Sequence, residues 1–176
     1  MSDPRAATPN TPASWAGSGT QRPHVLIVTA DEDLKQFLGE GLVYGGFWTS
    51  TVASAVQALE VFRLRSFDLA LVDAALGGIG AAEMIRRLRG RSDRAGADTP
   101  RTDVPILLVA DDPGRAGPAA EEADATLAAP LDLEDLVPHL HGVFAAWQRA
   151  HPGRPMADEV ALRHDPATAD ASGTVP

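Results

Sequence analysis

Five short apolar runs, four of them followed by a segment whose apolar residues recur at helical spacing, organise this chain. The first run is His24-Val25-Leu26-Ile27-Val28. After it Leu34, Leu38 and Leu42 recur every fourth residue with Phe37 beside them, the stripe of an amphipathic helix. Asp31 or Asp33 is placed to cap that helix, and Gly45-Gly46 to stop it. Phe47 to Val52 is aromatic and β-branched, which suits a second strand. Ser54 and Gln57 fit a capping box for a helix that should bury Ala55, Ala58, Leu59 and Phe62. The third run, Leu69 to Val72, has no polar interruption and ends on Asp73, as expected of a strand covered on both faces. A glycine-rich turn, Ala74 to Gly80, leads to a short helix carrying Met84, Ile85 and Leu88.

Residues 90 to 103 show no period and predict a long exposed loop. Pro105 to Val109 is the fourth strand, and the Gly/Pro-rich Asp112 to Pro118 leaves room only for a short helix near Ala119 to Ala123. A brief fifth strand lies around Ala125 to Leu127. Asp132 can cap a last helix whose Leu133, Leu136, Leu140, Val143 or Phe144, and Trp147 form one stripe. Pro138 inside it lacks an N–H, which predicts a kink or a late start. Alternation of this kind means an α/β fold: a five-stranded parallel sheet with helices on both faces, doubly wound. The domain spans 23–149. Residues 1–22 and 150–176, rich in Pro, Thr, Ala and small polar residues, read as a disordered arm and a disordered tail.

Composition narrows the function. A net charge of −9 and a pI near 4.9 argue against nucleic-acid binding, which needs a basic footprint. With no cysteine in the chain, thiolate chemistry, disulfides and cysteine-ligated zinc are excluded. No stretch approaches the ~20 apolar residues of a membrane span, and the first twenty residues show no secretory signal. The expectation is a cytoplasmic protein. Fourteen of the fifteen basic residues are arginine, and Lys35 is the single lysine.

The order and spacing resemble the receiver domain of bacterial response regulators, the flavodoxin-like module of two-component phosphorelay signalling. The resemblance runs from Pro23 to Trp147. It rests on Val25-Leu26-Ile27-Val28, Gly46-Phe47, Gln57-Ala58-Leu59, Phe67 to Asp73, Val104-Pro105-Ile106 and Ala129-Pro130. It implies the strand order 2-1-3-4-5 and assigns Asp73 the phosphoacceptor position, served by a histidine kinase. Other positions that support this chemistry in the family differ here. The Mg²⁺-holding acidic pair falls on Thr29 and Ala30, the hydroxyl residue after strand four on Ala110, and the lysine after strand five on Ala129. The adjoining proline, cis in relatives, is retained as Pro130. Taking Asp31-Glu32 as the acidic pair would shorten an otherwise gapless match by two residues, which leaves Asp31 a weak metal candidate.

The losses are large in energy. An ammonium ~4 Å from a phosphoryl group supplies about 4 kcal/mol at moderate dielectric, and a hydroxyl on a charged oxygen ~1.5–3 kcal/mol. Throwing a two-state switch takes ~5.5 kcal/mol. The leading expectation is therefore a stand-alone signalling adaptor, not an enzyme, with no cofactor. Its partner would be a histidine kinase or a downstream signalling protein, and a homodimer is left open. The alternatives are a genuine single-domain regulator phosphorylated at Asp73, with Mg²⁺, and a small-ligand-sensing pseudo-receiver. No G-x-x-x-x-G-K, G-x-G-x-x-G after the first strand, or G-x-S-x-G motif supports a nucleotide-binding or hydrolase reading. Arg86, Arg87, Arg89, Arg91 and Arg94 read as a solvated helix end and loop, or as a docking patch for an acidic partner. His139 and His141 face different ways on a helix and would not share a metal.

Overall fold

The computed structural model describes residues 22–157; the predicted arm up to residue 21 and the tail from 158 lie outside the described residues. Ten main elements alternate: β1 (His24–Val28), α1 (Glu32–Tyr44), β2 (Trp48–Val52), α2 (Ala55–Leu64), β3 (Leu69–Asp73), α3 (Gly80–Leu88), β4 (Ile106–Ala110), α4 (Pro118–Glu122), β5 (Ala125–Ala128) and α5 (Leu133–Ala150). The sheet is parallel throughout, in the order β2-β1-β3-β4-β5. The fold class and strand order are those expected from the sequence.

Alternate residues of the central strands feed two cores, as a pleated strand requires. Val25, Ile27, Leu69, Leu71 and Leu107 pack with Leu38 and Leu42 of α1 and with Leu136, Leu140 and Phe144 of α5. On the other face Leu26, Val28, Ala70, Val72, Ile106 and Leu108 meet α2, α3 and α4 through Ala58, Met84, Ile85, Leu88 and Ala119. Each helix starts where local chemistry allows. Asp31 Oδ1 accepts the N–H groups of Asp33 and Leu34, satisfying two donors that open α1. Ser54 Oγ accepts from Gln57 N–H at 3.2 Å, while Gln57 Oε1 returns to Ala53 N–H at 2.9 Å.

Three boundaries differ from expectation. Phe47 lies outside β2, fully buried, because it is stacked on His141 with ring centroids 4.2 Å apart. The last helix begins at Leu133, ahead of Pro138, so there is no late start. The third difference concerns the tail. Residues 151–157 are packed on the domain: His151 stacks on Trp147, Met156 and Ala157 are buried, and Ala157 N–H donates to Asp68 Oδ1 at 3.0 Å. A buried carboxylate needs donors, and this segment brings one to the foot of β3. The domain boundary therefore lies beyond 149.

Candidate functional site at the carboxyl edge

Asp73 closes β3 and is half-buried. β1 and β3 pair in register up to Val28 opposite Val72, so the next residue of each chain meets across the edge. Thr29 Oγ1 donates to Asp73 Oδ2 at 2.7 Å. The second carboxylate oxygen, Oδ1, accepts Ala75 N–H at 2.8 Å. Thr29 is 1% exposed, and its hydroxyl oxygen also accepts Asp31 N–H at 3.1 Å. Both Asp73 oxygens are thus engaged by neutral donors from the ends of the adjoining loops. The turn that follows needs Gly78 and Gly80, whose φ angles of 68° and 75° are left-handed.

The flanking positions are plain. Ala110 ends β4 and is buried, and its carbonyl accepts Ala129 N–H at 2.9 Å. The Ala129–Pro130 peptide is cis. Where the resemblance places a hydroxyl and a lysine, the chain therefore presents two methyl groups. Lys35, the one lysine, pairs with Glu32 on α1. Ala30 is exposed, and Asp31 Oδ1 is occupied by its two capping bonds.

A divalent ion, implied by the resemblance, does not suit these residues. Mg²⁺ prefers near-octahedral oxygen ligation through one or two carboxylates with water and phosphate. Here Thr29 directs its proton at the carboxylate such an ion would use, and Asp31 caps a helix. Among the described residues no group of three or more His, Asp or Glu is arranged to hold a metal.

Much of the arginine run is paired internally, while Arg91 and Arg94 stay exposed, as expected of a solvated helix end and loop. Glu83 on α3 accepts from Ser92 Oγ at 2.7 Å, Arg87 Nε at 2.8 Å and Arg86 Nη2 at 3.3 Å. The Ser92 hydroxyl first, then Arg87 and Arg86, hold its carboxyl down at about 2 against an ordinary 4.5. Arg91 reaches Glu122 at 3.0 Å and Arg89 pairs with Asp124, tying α3 to α4 and to the entry of β5. The spacing of Glu83 to Arg86 and Arg87 was visible as helical neighbours; the partners on α4 had no local signal. His141 binds the Gly45 carbonyl at 2.8 Å, and His139 lies exposed on the same helix. No helix among the described residues is long and apolar enough to cross a membrane.

No family model matches the chain. Regulatory protein VirG of Rhizobium rhizogenes is 27% identical over 146 residues, covering 83% of this chain and 51% of that protein. A sensor protein from Polaromonas sp. JS666 is 30% identical, with a TM-score of 0.58, over 72% of this chain and 98% of that one. A CheY-like response regulator receiver domain from Methylobacillus flagellatus has a TM-score of 0.59 at 23% identity, over 70% of this chain and 99% of that domain. The chain spans about half the length, or less, of the curated relatives it matches. Shared strand order, the acid closing the third strand and these similarities agree: the chain belongs to the receiver-domain family of two-component response regulators.

Proposed function

We propose that this receiver domain acts as a docking module in two-component signalling and does not run an Asp73 phosphorylation switch. The observation that carries the reading is the Thr29–Asp73 hydrogen bond of 2.7 Å. It puts a neutral hydroxyl where the family's acidic pair would draw in a cation. Phosphoryl transfer depends on neutralising charge spread over the phosphoryl oxygens, and neither Ala110 nor Ala129 offers a group to do so. The absent ammonium and hydroxyl together match the ~5.5 kcal/mol needed to throw a switch. Even a phosphorylated Asp73 would have little to pull against.

The role is one of binding rather than catalysis, and the partner is a protein: a histidine kinase or a downstream signalling component. The net charge of −9 disfavours nucleic acid as an alternative partner. Incubation with acetyl phosphate and Mg²⁺, followed by intact mass, tests the reading. The expected result is an unmodified chain; a stoichiometric phosphoryl adduct mapped to Asp73 would establish the genuine-regulator alternative instead.

A further inference from the structure

We propose that the hollow at the amino edge of the sheet, opposite Asp73, binds a small organic phosphate. The hollow holds about 240 Å³ and is built where the α2–β3 link, the loop before β4, the end of α5 and the segment after it converge. Its lining includes Arg65, Arg101 and Arg154, from three separate segments, and the hydroxyl residues Ser66 and Thr102; the Arg101 side chain rests against Gly90. Arg154 is matched by Asp103. Arg65 and Arg101 have no ion-pair partner among the described residues.

Two carboxylates also line the hollow, Asp68 and Asp103. Asp68 is 3% exposed and accepts the N–H groups of His24 and Ala157, so its charge is directed into the fold. One positive charge is left in excess, on a chain whose net charge is −9. That local reversal of sign favours an anion, and guanidinium forks suit the oxygens of a phosphate. Phe62, Phe67 and Trp147 supply the apolar part of the lining. Trp147 is fixed there: its Nε1 donates to the Asp103 carbonyl at 3.0 Å, His151 stacks on its ring and Arg154 lies over it at 5.6 Å. The volume suits a compact ligand, below the size of ordinary drug-like pockets.

The test titrates the isotope-labelled full chain with phenyl phosphate, inorganic phosphate and benzoate while following backbone amide shifts. Phenyl phosphate should shift Ser66 and Thr102 saturably, with a dissociation constant of about 1 mM or tighter, and should bind more tightly than inorganic phosphate. R65Q/R101Q should weaken binding about tenfold or more and leave the urea midpoint unchanged, because both side chains are exposed. The single variants R65Q and R101Q should each give a partial loss. Absence of saturable shifts up to about 20 mM, equal binding by R65Q/R101Q, or shifts centred on Asp73 would overturn the proposal. Benzoate binding as tightly as phenyl phosphate would overturn the choice of phosphate.

Discussion

Asp68 and Asp73 bracket the same strand, yet they have opposite characters. Asp68 is buried at the foot of β3 and takes backbone donors from β1 and from the C-terminal segment, at 2.7 and 3.0 Å. Asp73 is half-buried at the head of β3 and takes a hydroxyl and the amide of its own turn. The first acid joins distant parts of the chain; the second closes a local loop. In open parallel sheets the carboxyl edge is the usual place for ligands. In this molecule the positions beside Asp73 at that edge are Thr29, Ala110 and Ala129, while the amino edge carries arginines, a fixed tryptophan and a buried acid.

The contrast breaks most readily at Asp68. Asp68→Ala strands the His24 and Ala157 N–H groups, and each unsatisfied buried donor costs about 1–3 kcal/mol. We expect a loss of about 2–4 kcal/mol in urea unfolding, with faster hydrogen exchange at Ala157. A loss below about 1 kcal/mol would mean that Asp68 does not hold the C-terminal segment in place.

Glu83 should show the next largest effect. Its folded pKa, about 2, lies below the ordinary 4.5, so the ionised form is the one the fold favours. Its contribution to stability is complete above pH 4.5 and disappears as pH falls from 4.5 towards 2. Glu83→Gln keeps the shape but removes the charge facing Arg86 and Arg87. Because Arg86 is partly exposed, the cost is discounted to about 1–2 kcal/mol at neutral pH. The variant's stability should also fall less steeply below pH 4.5 than the parent's; equal slopes would remove Glu83 as the group responsible.

How much of this could be read from the sequence follows from the range of each interaction. Strand character, the Ser54 cap and the position of Asp73 depend on neighbours within a few residues, and they were legible. The placing of Thr29 near Asp73 came from the family resemblance, whose match runs without a gap from β1 to β3, and from no local pattern. The α1–α5 contact was not legible. Gly45 read as a stop signal and Gly41 carried no signal at all. A methyl at Gly41 would collide with Leu133 Cδ1, and one at Gly45 would lie 2.6 Å from Val137 Cγ2. These glycines are where α5 rests against α1, a proximity that no local period encodes. Met156 was hidden in the same way, one apolar residue in a polar, proline-containing segment that a distant acid holds down.

The smallest expected effect is also the sharpest probe of the carboxyl edge. T29D/A30D returns two carboxylates to the positions beside Asp73 and removes the hydroxyl that occupies Oδ2. Without a cation the variant should be less stable than the parent, since like charges are brought together at a largely buried site. Mg²⁺ should then stabilise it selectively: at ten times the dissociation constant the linkage is about 1.4 kcal/mol. Parallel unfolding curves with and without the ion measure this directly. The parent should respond by no more than its general salt dependence, because Asp73 is already held by Thr29 and Ala75. If the parent gains as much from Mg²⁺ as the variant does, the threonine is no obstacle to the ion. Thr29 would then not be what separates the two ends of β3.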